Sequence, residues 1–577
     1  MPFKKLQTKS SFACLLLVLL TLLVYSFSLG NGFVWDDYLN IVDNIAVKSW
    51  SNFPQLFSHR YLTYPEDLVH LQDRNVGFGE LSYRPVTTAT YFLDYSIWKL
   101  NPFGFHLTSL VLHVINVLLV FWLAGSIFPR RIEAFGTAVI FAVHPIQSEA
   151  VMVASFREDL LALLFYLLAF ISYIRHRQTQ RTGWPIVSLV CYFLALFSKE
   201  MAITLPVMLF FYDQYFTDSG TIPLKKRIGK NYLGYLIVAL FYLWIWSGPM
   251  APGYKNHVTY PAGSFVVNLL TMNKVVAVYI GWLLSGIGLH PTMADPGIFA
   301  YHLWEKNVIF SLLLLLSCLY GIGHWRPTHK TVSFGLLWFF VSLGPVLNIF
   351  PLFNIMAARY VYLPSVGFIL AVVGWGASML DNRMKISKPL LGFMLGGICL
   401  FLALQTITQG YRFFKNELGY RLSMQAYYPD NAMVYRNIAG AYERLGHYDQ
   451  VIVYCQKAKK LDPADMDVYC DLAGGYEKLG RPDLAIRELI EAVAINPHHS
   501  YAYNKLCSLY GTTGQLKDAA QCFDSLLMQN PKDLLAYFNQ GLTYQLMGDV
   551  ERARAVWRKA LDIDPSYQPV LKALGRE

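Results

Sequence analysis

The stretch "CLLLVLLTLLVYSFSL" (Cys14–Leu29) leads directly into "GFVWDDYLNIVDN" (Gly32–Asn44), and these two stretches together decide how the first part of the chain folds. A membrane helix needs about 20 mostly apolar residues, and segment 11–30 supplies them. The preceding "MPFKKLQTKSS" could imitate a secretory leader. The apolar run is longer than a leader's core, however, and no A-x-A cleavage site follows, so it reads as a retained first helix. Asp36 and Asp37 then sit as adjacent acids at the lip of a membrane span.

The rest of the chain supports that reading. It has 577 residues, 55% hydrophobic and only 15% charged, whereas soluble domains carry about 25% charged residues. Mean hydropathy is +0.35. This composition indicates a polytopic membrane protein. The formal charge of +10 is not concentrated in a basic, aromatic-interleaved domain, which argues against nucleic acid as a partner.

Eleven apolar segments read as spans: 11–30, 105–128, 132–153, 159–174, 184–199, 201–217, 232–248, 306–323, 332–350, 360–380 and 389–408. Segments 83–99 and 266–289 are of mixed polarity and suit interfacial helices that do not cross. Lys4, Lys5 and Lys9 precede the first span. Arg130 and Arg131, then Arg175, Arg177 and Arg181, then Lys225, Lys226, Arg227 and Lys230 fall in alternate loops, and Arg326, Lys330, Arg383, Lys385 and Lys388 continue the alternation. Basic loops face the cytoplasm, so the N-terminus is expected there. The Asp36–Asp37 loop, the His144–Asp159 turn, Lys199–Glu200, loop 249–265, Asn354–Tyr360 and everything after residue 409 are then exoplasmic. No N-x-S/T sequon occurs, which favours a bacterial inner membrane over an endoplasmic reticulum.

The C-terminal tail is of another kind. Pro429, Pro463, Pro497, Pro531 and Pro565 recur every 34 residues. Gly446, Gly480, Gly514 and Gly548 share that period, as do Tyr435, Tyr469, Tyr503 and Tyr537, and Tyr442, Tyr476, Tyr510 and Tyr544. This is the tetratricopeptide period, a helix-turn-helix unit that buries its face by stacking on its neighbours. Small residues (Ala439, Ala473, Cys507, Gly541) mark where paired helices approach closely. The expected organisation is a membrane domain over 1–408, with a first exoplasmic loop over 31–104. A connector over 409–431, four repeats over 432–565 and a cap over 566–577 follow. Cys14, Cys191, Cys318 and Cys399 read as core residues of spans. Cys455, Cys470, Cys507 and Cys522 lie in the repeats, where the redox state is open. Cys455 and Cys470 fall on facing helices and fit either a bridge or two buried thiols.

Ionisable residues near the membrane are costly and default to functional readings. A boundary-lying Asp36–Asp37 pair would have a raised pKa and suit a general base; the plain alternative is a solvated helix end. Arg84 in "SYRPVT" could grip a phosphate or merely pin its loop to an acid. His144, Glu149, Arg157, Glu158 and Asp159 crowd one turn, as a site or as a salt-bridge network. Lys199 and Glu200 could hold an anionic head group or close a tight hairpin. Arg359, Tyr360 and Tyr362 could serve the site or form an aromatic belt with a snorkelling arginine. Together these residues put acids and cations on one surface above apolar helices, which suits a substrate with a lipid tail, a phosphate and a polar head.

The motifs "FVWDDYLNIVDN", "YRPVTTATYFLDY", "HPIQSEAVMVASFREDLLALLFYLLAF", "ALFSKEMAITLPV" and "ARYVYLPSVGF" resemble those of the transmembrane and tetratricopeptide-repeat O-mannosyltransferases. The resemblance extends over nearly the whole chain. It implies an all-α GT-C-type membrane bundle followed by an exoplasmic repeat solenoid. It also implies a polyprenyl-phosphate-linked sugar donor, expected to carry mannose, and an acceptor polypeptide held by the repeats. By the same resemblance, Asp36 and Asp37 would be catalytic. Arg84, His144, Glu149, Arg157, Asp159, Lys199, Glu200, Arg359 and Tyr362 would bind donor phosphate or substrate. Single displacement would invert the anomeric centre. Fixed cations could neutralise a monophosphate leaving group without a cofactor. A divalent cation on Asp36, Asp37 and Glu149 is the alternative. A transferase acting on a lipid or glycan, or a non-enzymatic scaffold, are the rival readings.

Overall fold

The computed structural model describes residues 7–44, 46–57, 83–217, 231–247, 259–290, 298–352, 354–382 and 388–575. Lys4, Lys5, the basic stretch 225–230, Arg383, Lys385, most of loop 249–265 and residues 58–82 of the first loop lie outside this set. Every regular element among the described residues is helical. The chain divides into two units, with the boundary of the second half after Tyr420.

In the first unit, α1 (Gln7–Tyr25), α2 (Pro85–Trp98), α3 (Pro102–Ile127) and α4 (Arg131–Val143) come first. The short α5 (Ser148–Met152) precedes α6 (Arg157–Thr179), α7 (Gly183–Leu196), α8 (Leu205–Phe216) and α9 (Leu233–Ser247). Then follow α10 (Phe265–Ser285), α11 (Lys306–His324), α12 (Lys330–Leu343), α13 (Tyr362–Asn382) and α14 (Lys388–Phe413). Six helical segments among the described residues are long and apolar enough to cross a membrane: Ser11–Gly30, Pro102–Ile127, Phe265–Ser285, Lys306–His324, Ala358–Leu380 and Gly392–Phe413. Three shorter apolar helices accompany them.

The expected span 132–153 does not form. α4 stops at Val143, and His144 is extended (φ −73°, ψ 129°). Pro145 follows, and a residue before proline is pushed out of the α region while proline itself cannot donate to the helix. The chain instead makes a buried turn through α5 before α6 begins. The expected span 201–217 is likewise shortened to α8 by a 3-10 turn over Glu200–Thr204.

Segment 266–289 forms α10, which is apolar and 21 residues long, yet both its ends meet one end of the bundle. Asn268 donates to Asn348 O (3.0 Å), just beyond α12, and Tyr279 OH accepts from Ala357 N (3.0 Å), just before α13. Leu283 O meets His144 Nε2 (3.1 Å) at the end of α4. α10 therefore packs against that end of the bundle. α2 does the same: Val86 N donates to Phe197 O (3.3 Å), and Asp94 pairs with Arg157 (2.6 Å) at the start of α6. The opposite end carries Arg130, Arg131, Arg175, Arg177 and Arg181. There Asp213, fully buried, binds Tyr173 OH and Tyr232 OH (both 2.7 Å) and Arg177 Nε (3.3 Å), tying α6, α8 and α9 together.

The connector begins with α15 (Glu417–Gln425). In the second unit, four helix pairs follow: α16 (Ala432–Arg444) with α17 (Tyr448–Leu461), and α18 (Met466–Lys478) with α19 (Pro482–Ile495). The others are α20 (Ser500–Thr512) with α21 (Leu516–Gln529), and α22 (Leu534–Leu546) with α23 (Val550–Ile563). A short α24 (Gln568–Ala573) caps them. The periodic glycines sit between the helices of each pair at φ +75°, +71°, +81° and +81°, a left-handed conformation that glycine adopts without penalty. In the last repeat, a Cβ on Gly541 would lie 2.1 Å from Trp557 Nε1. This close approach is why the smallest residue stands there.

The bridge in the repeats is Cys507–Cys522, linking α20 to α21; Cys455 and Cys470 are buried free thiols. The bridge considered between Cys455 and Cys470 is thus not the one formed. Closing a loop of this length (sequence separation 15) stabilises by about 3 kcal/mol. The denatured chain should accept six thiol labels without reductant and eight with it. Eight labels without reductant would contradict the bridge.

Candidate active site

Four of the quoted motifs meet where α6 begins. Arg84, at the N-terminus of α2, pairs through Nη1 with Glu158 and through Nη2 with both oxygens of Glu200 (3.0 and 3.1 Å). Glu158 also takes Lys199 Nζ (3.0 Å), which reaches Asp159 Oδ2 (2.7 Å) as well. Side-chain exposure in this network falls from 29% for Glu200 and 11% for Arg84 to 1% for Lys199. Arg84 is therefore the most accessible of its cations. A second pair joins Arg359 Nη1 to Glu149 Oε1 (2.7 Å), while Glu149 Oε2 accepts the Arg359 backbone N–H (3.0 Å). The Tyr360 ring lies 5.3 Å from both Lys199 Nζ and the Arg359 guanidinium, so it bridges the two groups.

Asp37 joins this end from the first loop. It is fully buried. Its Oδ2 accepts from Val34 N (3.0 Å) and its Oδ1 from Ser155 N (2.6 Å), so both oxygens are used to hold its loop on the α5–α6 turn. Burial pushes its carboxyl up to about 6, against the lowering effect of these N–H bonds. The native state then binds more protons than the unfolded one between pH 3.8 and about 6, so stability is lost as pH rises through that window. The expected loss is on the order of 3 kcal/mol. Melting of the detergent-solubilised chain across pH 4–7 checks it: Asp37→Asn should flatten the profile, and an unchanged profile would contradict it. Asp36, on the same turn, is only half-buried.

Other expected residues are committed to packing. Arg157 is fully enclosed. It binds Asp94 (2.6 Å), Thr90 Oγ1 (2.9 Å) and Phe105 O (2.9 Å), locking α2 onto α3. His144 accepts from Ile146 N at Nδ1 (3.1 Å), which leaves Nε2 to donate to Leu283 O (3.1 Å). Tyr362 is buried with its OH against His113 Nδ1 (2.8 Å) and Asn116 Nδ2 (3.2 Å). Sequence reasoning did not single out Asp94 or Glu417, and it named Glu158 and Tyr360 in the polar motifs without carrying them into the binding set. The signal for Glu158 was present, since a third acid in "RED" needs a cation.

The divalent-cation trio does not converge. Asp37 spends both oxygens on backbone N–H groups and Glu149 both on Arg359. No cluster of three potential ligands occurs among the described residues. Beside Glu149, a narrow recess is lined by Ser148, His290, Gln409, Phe413 and Phe414, among others.

Known proteins bear on this arrangement. Sequence profiles described as Tetratricopeptide repeat match residues 434–465, 476–539 and 534–567. The Homo sapiens Protein O-mannosyl-transferase TMTC3 is 27% identical over 480 residues, which cover 76% of this chain and 50% of TMTC3. The chain is similar to TMTC3 over 76% of its own length. Homo sapiens Protein O-mannosyl-transferase TMTC1 is likewise 27% identical, over 76% of this chain and 54% of its own length. The chain thus spans about half the length of these curated relatives. Among solved structures, the MamA protein is 22% identical over 26% of this chain and 82% of its own, with a TM-score of 0.24.

Proposed function

We propose that this chain is an integral-membrane glycosyltransferase. It would move a sugar, mannose by its relatives' names, from a polyprenyl-phosphate donor to serine or threonine hydroxyls of protein. The observation that carries this reading is the gathering of the Asp36–Asp37 loop, Arg84, Lys199 and Arg359 with their acids at one end of an apolar helix bundle. Asp36 takes the acceptor proton, because it is the more exposed of the two acids while Asp37 is fully buried in holding the loop. The acceptor oxygen attacks the anomeric carbon as the bond from that carbon to the phosphate oxygen breaks, inverting the centre. Arg84 meets the charge on the departing lipid phosphate. Glu158, Glu200 and Lys199 set its position. No step is routed through a divalent ion. The repeats hold the acceptor polypeptide. The basic residues at the opposite bundle end support a cytoplasmic N-terminus and an exoplasmic site, in a bacterial inner membrane.

Membranes containing the chain, supplied with labelled polyprenyl-phosphate mannose, test this reading. Label in alkali-releasable linkage to protein is expected. Label confined to lipid or free glycan would replace the acceptor class, and no transfer would leave the scaffold reading.

A further inference from the structure

The Asp36–Asp37 loop is held from a second side, by the connector. Trp35 has φ +50°, a left-handed conformation that a bulky residue keeps only when its surroundings impose it. Its backbone N–H donates to Glu417 Oε2 (2.5 Å), from a residue 382 positions away. Glu417 is buried, at 7% exposure, in the first turn of α15. Around this bond, Gly32 N donates to Lys415 O (3.0 Å), Lys415 Nζ donates to Gly30 O (3.1 Å), and the Trp35 and Tyr420 rings lie 5.3 Å apart. On its other side the indole packs on Phe156 (5.6 Å) and the Arg359 guanidinium (5.6 Å).

Resting on the transferase reading above, we propose that Glu417 is a positioning residue for the reaction. It holds Trp35 in its left-handed turn, and that turn sets the direction in which the next residue, Asp36, presents its carboxylate. The stretch Lys415–Tyr420 is therefore part of the active end. A base must sit within hydrogen-bond reach of the proton it takes, and small displacements of a reacting group cost rate steeply. Loss of the clamp should consequently appear in kcat and leave donor KM unchanged, because Arg84 is held in place by Glu158 and Glu200.

The test uses the full chain in detergent, with two readouts. In Glu417→Ala, amide exchange of a peptide covering residues 30–40 should quicken, and kcat should fall about 10-fold or more with donor KM unchanged. Glu417→Gln keeps an acceptor oxygen and should restore most of both. Wild-type exchange in Glu417→Ala, quickened exchange with wild-type kcat, or a Glu417→Gln variant as impaired as Glu417→Ala would each overturn the proposal. If the wild-type chain transfers no sugar, the transferase reading fails and the proposal with it, while the exchange arm separately judges the clamp.

Discussion

Replacing Lys199 by methionine is expected to destabilise the membrane unit by about 3–5 kcal/mol, the cost of removing one partner from a buried ion pair. Lys199 is 1% exposed and its ammonium meets two carboxylates, Glu158 at 3.0 Å and Asp159 at 2.7 Å. Glu158 would keep Arg84. Asp159 would be left buried among apolar helices without its cation, and its desolvation sets the penalty. The double variant Lys199→Met with Asp159→Asn should recover a substantial part of the loss, since neutralising the stranded acid removes the cause. Thermal unfolding of detergent-solubilised protein reads both. A single variant as stable as wild type, or a double variant no better than the single one, would mean that the network contributes little to holding α6 against the turn after α7.

The second large effect falls on rate. Asp36→Asn is expected to lower sugar transfer by about 10²–10⁴-fold, the range attributable to a general base, with unfolding temperature near that of the wild type. Asp36 is half-buried, so the amide costs little in desolvation. Asp37→Asn should behave differently. An asparagine offers one acceptor oxygen where Val34 N and Ser155 N need two, and its amide N–H would face a backbone donor. That variant should lose stability and activity together. Equal behaviour of the two variants would dissolve the division of labour between the acids.

The repeats were readable because one physical requirement recurs: a left-handed turn and a close helix approach every 34 residues force the same residue types into register. The apolar spans were readable for the same kind of reason. What misled was hydropathy beyond its reach. Residues 144–153 read as part of a span although they form a buried turn with His144, Gln147, Ser148 and Glu149 in it, and Pro145 marks the break. Segment 266–289 reads from its mixed polarity as a helix that does not cross; α10 there is long and apolar enough to cross, and its partners include Asn348 and His144. At the site, the motifs did converge, but partners distant in sequence decided each residue's task. Arg157 found Asp94, Arg359 found Glu149, and both guanidinium groups became enclosed. Trp35 found Glu417 across nearly the whole membrane unit. Nothing in the spacing of these residues announces such pairs.

The central claim is that this chain glycosylates protein from its Asp36-bearing end. The most direct measurement is the mass of Ser/Thr-containing peptides from proteins of cells expressing the chain, compared with cells expressing Asp36→Asn at equal level. The account expects peptides one hexose heavier with the wild type and their disappearance with the variant. The same hexose-bearing peptides in both, or in neither, would contradict it.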